Sequence, residues 1–375
     1  MYRKSKIMWP ATASLVTLTS ILNAADDAQM RNLENRVTAL EQRKSANGMI
    51  NPNGRPLTTN GCGVYFTGDF LYWHAEETGL GYVVKNNDSG DWVSNGKLKT
   101  PNFGWDPGFR IGVGFDLAHD GWDIYTAWTW MQSSATDTIS APAGGNLFPT
   151  FMNFQTINQS GTVSSAYEKW KTKLNVIDLE LGRQFFVSKW LTLRPFFGLR
   201  TAWVYQSYHL SYNGEFDTLF PTLVSDRIGT LSTPNNSNHY WGLGLRAGLN
   251  TQWGLGAGFS LYGDAALSLL WGTFRVKESE CFLENGAAAG ENMLDLKKHE
   301  SATRPITDLA AGIRWDTHFC DGRYYFRIQA GWEQHIFFSQ NQFDRVVEDD
   351  VPGITVTNQG DLSYNGIAVG FRFDF

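Results

Sequence analysis

The sequence predicts an all-β protein, an antiparallel transmembrane β-barrel of about 10 strands with roughly 14 as an upper bound, preceded by a short coiled-coil helix. Three observations carry that expectation. The last ten residues alternate with period two, placing Ile367, Val369, Phe371, Phe373 and Phe375 on one side and Gly366, Ala368, Gly370, Arg372 and Asp374 on the other. Aromatic residues make up 14% and there are 38 glycines, while charge is only 18%, which suits strands greasy on one side alone. Apolar-faced segments of this kind recur along the chain, and the connections between them alternate long and short.

Taken in order, residues 1–24 read as an export signal. Arg3, Lys4 and Lys6 precede an apolar stretch from Ile7 to Leu22, with Ala24 and Ala25 as the small cleavage residues. Removing it takes the formal charge from -6 to about -9, since Arg3, Lys4 and Lys6 are lost, and so argues against nucleic acid as a partner. Within residues 26–45, Met30, Leu33, Val37 and Leu40 form a two-heptad seam among charged residues. That stretch reads either as a periplasmic oligomerisation helix, giving a homo-oligomer, or as a solvated amphipathic helix. Residues 46–61, with Pro52, Pro56 and several Asn and Gly, read as a flexible linker.

From residue 62 the pattern is that of barrel staves, expected near 63–76, 104–118, 121–133, 173–186, 190–206, 239–252, 257–274, 304–317, 322–337 and 366–375. In the second, Phe109, Ile111, Val113 and Phe115 oppose Arg110, Gly112, Gly114 and Asp116; the others follow suit. Long polar connections are expected at 77–103, 134–172, 207–238, 275–303 and 338–361, with Phe148, Thr150, Met152 and Phe154 a candidate extra strand in the second. Barrels of the outer membrane keep short periplasmic turns and long outer loops, whereas a sandwich has no such rule. Aromatics gather near strand ends, as at Tyr72-Trp73, Trp122, Trp190, Tyr240-Trp241, Trp271 and Tyr324-Tyr325. That placement suits rings lying at two headgroup levels of outer-membrane lipid. The closing row Phe371, Phe373 and Phe375 is the expected signal to the barrel-assembly machinery.

Several framework motifs resemble those of the Legionella-type major outer membrane protein family, pore-forming proteins also found in chlamydia-related bacteria. They are Gly68-Asp69-Phe70-Leu71-Tyr72-Trp73, Trp105-Asp106-Pro107-Gly108-Phe109-Arg110-Ile111-Gly112, Asp178-Leu179-Glu180-Leu181-Gly182-Arg183 and Leu193-Arg194-Pro195-Phe196-Phe197-Gly198-Leu199-Arg200. The resemblance spans about residues 61–375. It implies an outer-membrane location and a porin-like role, and carries no substrate identity.

A Gly-apolar-Arg triplet recurs at residues 108–110, 198–200, 244–246, 312–314 and 370–372. With the apolar member toward lipid, glycine and arginine turn inward, and the glycine is expected to leave room for the guanidinium. Lipid-facing arginine would cost about 2–4 kcal/mol at mid-membrane. The same parity turns Arg110, Arg194, Arg200, Arg246, Arg314, Arg327 and Arg372 toward the lumen. Against them stand Asp69, Asp116, Asp123, Asp178, Glu180, Asp264, Asp308, Glu333 and Asp374. Two arrangements follow. The charges face one another across a wet constriction that filters solutes, or they pair off and plug a narrow barrel. The corresponding functions are passive diffusion of small polar solutes or ions, and a closed structural or adhesive barrel acting through its loops.

Catalytic motifs are missing: there is no Gly-x-Ser-x-Gly, no His-Glu-x-x-His and no phosphate loop, and the seven histidines lack ligand spacing. No cofactor, metal or enzymatic activity is expected. Cys62, Cys281 and Cys320 are an odd set for an exported chain. Cys62 and Cys320 fall at the same rim, where a disulfide and free thiols are both open readings.

Overall fold

The computed structural model describes Asn35 and residues 51–59, 61–88, 95–117, 120–152, 162–217, 228–285, 287–346 and 355–375. The expected signal and coiled-coil segments lie outside the described residues, Asn35 excepted.

Ten long strands form one closed antiparallel barrel. In chain order they are β1 (Val64–Glu77), β2 (Trp105–Asp116), β3 (Trp122–Ser140), β4 (Thr162–Arg183), β5 (Leu191–Asp217), β6 (Ile228–Gly256), β7 (Phe259–Glu284), β8 (Glu291–Phe319), β9 (Tyr324–Phe337) and β10 (Leu362–Asp374). Each pairs with its sequence neighbours, and β10 closes the ring on β1 from Tyr65 opposite Asp374 to Glu77 opposite Leu362. Closure leaves no unpaired edge, which a sheet in lipid requires. Short turns use left-handed residues: Asp120-Gly121 between β2 and β3, Ala257-Gly258 between β6 and β7, and Cys320-Asp321-Gly322 between β8 and β9.

The outer face is apolar in a belt. Phe70, Ile111, Leu199, Leu245, Leu267, Leu309 and Phe371 all stand exposed on it, as lipid-facing residues must when no lipid is present. Tyr72, Trp105, Trp241, Trp271 and Trp332 mark its upper margin, and Trp190, Trp253 and Phe259 its lower one. The adjacent aromatic pairs split, because neighbours on a strand point to opposite faces. Trp73, Tyr240 and Tyr325 are buried inside while Tyr72, Trp241 and Tyr324 face out or sideways. In the closing row, Phe371 faces lipid, and Phe373 packs between Tyr324 at 5.7 Å and Phe375 at 5.3 Å.

Most of the strands are longer than the periodicity suggests, chiefly at the loop end. Six of them, β3 to β8, rise past the aromatic margin as a tall wall, so the expected loops 207–238 and 275–303 are mostly strand. The physical cause is an inversion of phase. Within the belt β4 turns Ile177 and Leu179 out and Asp178 and Glu180 in; above it Lys169, Lys171 and Lys173 face out and Ala166, Trp170 and Leu174 face in. Once a strand leaves lipid its outer face meets water, and its inner face packs on protein.

What it packs on is a cap made by the segments after β1 and β9. Leu80, Tyr82, Val83 and Phe343 are fully buried against Tyr208, Leu210 and Tyr212 of the wall. Tyr208 donates a hydrogen bond to the Leu80 carbonyl at 2.7 Å and Tyr212 to that of Tyr82 at 2.6 Å. Short strands Val83–Asn86 and Asn146–Pro149 pair inside this cap. The candidate strand around Phe148 is therefore part of the cap and adds no stave to the barrel; Phe154 lies outside the described residues. At the other end residues 51–59, the described part of the expected linker, are tied to the rim. Asn53 bridges Phe185, Arg55 donates to the Leu117 carbonyl at 2.8 Å, and the Thr59 amide donates to the Gly322 carbonyl at 2.9 Å.

Candidate functional site in the barrel lumen

Strand parity brings the predicted charges inward, and a barrel this narrow brings them into contact. On β4 and β5, Arg200 holds Asp178 through two hydrogen bonds of 2.6 and 2.8 Å. It then reaches across to Asp308 of β8 at 2.7 Å. Arg246 of β6 also binds Asp308, and meets Glu180 at 3.2 Å. From Asp308 the chain of contacts passes to His335 of β9 at 2.7 Å and on to Glu333 at 3.2 Å. Glu333 receives Arg110 of β2 at 2.8 and 3.1 Å, and Arg110 completes the line to Asp69 of β1 at 3.1 Å.

A second branch fans out from Arg194 of β5, which binds Glu180 at 3.1 Å, Asp123 of β3 at 3.0 Å and the Asn250 side chain at 2.9 Å. Asn250 in turn donates to Asp264 of β7 at 2.9 Å. One connected network thus joins every strand from β1 to β9. β10 contributes clearance: a Cβ at Gly370 would collide with the Asp69 carboxylate. Buried charges are costly unless paired and hydrogen-bonded, and here the paired arrangement is the one realised.

This network walls a cavity of about 240 Å³, with Asp69, Arg110, Asp178, Glu180, Arg200 and Asp308 in its lining. Its lining includes Trp73 and Phe337 at the top and Gln184, Thr192 and Gln252 toward the short-turn end. Arg314 and Arg327 also line it, and among the described residues neither has a carboxylate at ion-pair distance. Arg314 takes hydrogen bonds to Gln329 at 2.9 Å and Gln252 at 3.3 Å and lies over the Tyr262 ring at 4.8 Å. Arg327 donates to the Tyr325 hydroxyl at 2.9 Å. Arg372 is committed to Asp374 at 2.6 Å and stacks on Tyr65 at 3.6 Å. Above the cavity the lumen is packed: Trp73, Trp170, Tyr240, Phe274 and Tyr364 are all fully buried.

Two expectations change, and one open alternative is decided. Asp116 does not line the cavity; it sits at the rim, 3.8 Å from Arg55. Its strand has left the narrow part of the lumen by that residue. Cys62 and Cys320 are free, exposed thiols, and Cys62 donates to the Phe375 carbonyl at 3.1 Å, so the bridged reading is not realised. The triplet glycines serve a different purpose from the one expected. A Cβ at Gly198, Gly244 or Gly312 would first strike the carbonyl of the neighbouring strand, at Leu179, Leu269 and Ala330. Close strand approach explains them; room for a guanidinium is instead made by Gly182, beside Arg194. Sequence reasoning overlooked His335, although it shares parity with Glu333 two residues earlier and so had to face inward with it.

The family of the Legionella pneumophila major outer membrane protein precursor matches residues 61–375 of this sequence. Among solved structures, the outer membrane protease OmpT from Escherichia coli is similar at 11% identity and a TM-score of 0.41, covering 85% of this chain and 99% of that one. A major outer membrane protein from Thermus thermophilus gives 12% and 0.25, with 83% and 99% covered. The P. putida toluene transporter TodX gives 8% and 0.24, with 84% and 90% covered. None of the curated proteins compared matches the chain.

Proposed function

The chain belongs to the Legionella pneumophila major outer membrane protein precursor family, and from that premise we propose that it is a narrow outer-membrane channel for small polar solutes or ions, gated by its own extracellular cap. The observation that carries this reading is the cavity of about 240 Å³, walled by charged side chains and stopped above by Trp73 and Phe337. A barrel needed only as a wall has no use for such a chamber, because apolar filling would avoid the cost of burying so many charges. Arg314 and Arg327 line the chamber with hydrogen bonds to neutral partners and with Asp264 in the same wall, so its ion preference depends on these two arginines.

A second reading, a closed structural or adhesive barrel acting through its outer surface, is favoured by the packed aromatic layer of Trp73, Trp170, Phe274 and Tyr364. Planar-bilayer conductance separates the two. The refolded protein is expected to conduct rarely, and a variant with residues 80–100 replaced by a short Gly-Ser linker to show reproducible steps. If neither protein conducts, the channel reading fails and the closed barrel stands. In the conducting variant, Arg314→Gln together with Arg327→Gln should move the reversal potential toward cation preference.

A further inference from the structure

The outer face of the wall, directly above the belt, carries a feature that neither reading of the lumen uses. Cross-strand register places Lys173 of β4 opposite Tyr205 of β5, Tyr205 opposite His239 of β6, and His239 opposite Arg275 of β7. One step further from the belt, Lys171, Ser207, Ser237 and Lys277 form a second row on the same strands. Lys171, Lys173, Arg275 and Lys277 are all exposed. None of the four makes an ion pair or side-chain hydrogen bond among the described residues. No aspartate or glutamate occupies an outward position in either row, or in the next row of Lys169, His209, Asn235 and Ser279. This occurs in a chain whose formal charge is -6.

The rows begin where lipid ends. Two residues below Lys173 is Asn175, level with Trp203 and Trp241, and Trp241 is 42% exposed at the margin of the belt. Strands lie about 4.8 Å apart, so Lys173 and Arg275, three strands distant, stand roughly 14 Å from each other. Long basic side chains at such a margin reach the headgroup layer. Repeated cations with no intervening acid, spaced over that width, match a headgroup bearing more than one phosphate, and the Tyr205 and Trp241 rings offer faces for its sugar and chain ends.

We propose that this patch binds a phosphorylated glycolipid of the outer leaflet, with Lys171, Lys173, Arg275 and Lys277 as its phosphate ligands. The site rests on the outer-membrane location alone and holds whether or not the lumen conducts.

The test uses the full-length folded barrel in a neutral detergent, titrated with a bisphosphorylated glycolipid and followed by native mass spectrometry. Each cation near a charged lipid surface is worth about a fivefold change in affinity. The variant Lys171→Gln/Lys173→Gln/Arg275→Gln/Lys277→Gln is therefore expected to bind at least 100-fold more weakly. Lys97→Gln/Lys99→Gln, the same kind of change on the short cap strand Gly96–Lys99 that pairs with Val83–Asn86, is expected to bind within twofold of the parent. The dephosphorylated glycolipid should lose binding as the fourfold variant does, and inorganic phosphate and polyglutamate should not compete at equal charge. If the fourfold variant does not fold, as judged by heat-dependent gel mobility, the pairs Lys171→Gln/Lys173→Gln and Arg275→Gln/Lys277→Gln are measured separately, each expected to lose about 25-fold. Unchanged binding in these variants, an equal loss in Lys97→Gln/Lys99→Gln, or equal binding of the dephosphorylated lipid, inorganic phosphate or polyglutamate overturns the assignment.

Discussion

In the lower half of the lumen, charged side chains reach across the barrel and each meets a partner of opposite sign, an amide or, at Arg327, a tyrosine hydroxyl. In the upper half, aromatic and aliphatic side chains fill the same width, and the polar groups among them are less completely met. Asp308 is held by Arg200, Arg246 and His335 at once. Glu168, nine residues beyond the lipid-facing Ile177 on β4, is fully buried, and among the described residues no cation pairs with it. The difference teaches where rigidity and where movement are stored. A network satisfied from nine strands resists displacement, because breaking one link strands the others. A cap held by packing and a few hydrogen bonds to backbone carbonyls can leave as a unit.

The sharpest way to break this comparison is to attack the hub. Asp308→Ala leaves Arg200 and Arg246 facing each other in a buried site, and should destabilise the folded barrel by about 3–5 kcal/mol. Urea unfolding in lipid vesicles reads it directly. A loss under ~1 kcal/mol would mean that water already screens the network. Reversing a charge at the same hub, by Arg200→Glu or Arg246→Glu, breaks the same contacts and is read in folding before it is read in selectivity.

The cap should yield more cheaply. Tyr208→Phe removes the hydrogen bond to the Leu80 carbonyl and leaves that carbonyl buried, costing about 1–2 kcal/mol. The expected readout is faster proteolysis of the segment after β1 with the barrel itself still intact on a gel. Uniform destabilisation of the whole barrel would show that cap and wall unfold together.

A pH titration sharpens the contrast further. Burial, and then the neighbouring charge of Asp137, push the Glu168 carboxyl up to about 7. A carboxyl raised in the folded state favours folding fully below its ordinary range near 4.5, and that contribution is lost as pH rises through about 7. Protection factors of cap amides, corrected for the intrinsic rise of exchange with pH, should therefore fall between pH 5 and pH 8, and Glu168→Gln should flatten their profile. An unaltered profile in Glu168→Gln would assign the pH response to another group. The smallest effect belongs to the exposed pair Lys297–Asp295 at 3.3 Å. Lys297→Ala should change stability by no more than a few tenths of a kcal/mol.

Much of this architecture is legible without coordinates, and the limit has a physical shape. Wherever a strand touches lipid, one face must be apolar and the other need not be, so Leu199 against Arg200 or Phe371 against Arg372 announces both the strand and its orientation. That is why the short-turn ends and the lower halves of all ten strands were readable. Above the belt the rule reverses, and Lys171-Thr172-Lys173 resembles a polar loop unless Trp170 is known to face a cap. His335 was overlooked for a related reason: a lone histidine near a strand end carries no spacing signal, and its importance comes from Asp308, a neighbour 27 positions away in the chain.

The chain's own alternation determined that it would be a membrane barrel, which residues would meet lipid, and which charges would turn inward. Those are local matters, settled by the period of an extended strand and the cost of polar groups in hydrocarbon. Only closure of the ring decided which arginine meets which carboxylate, and that the upper lumen is shut. Such contacts depend on the barrel's width and on segments far apart in sequence folding into the same enclosed space.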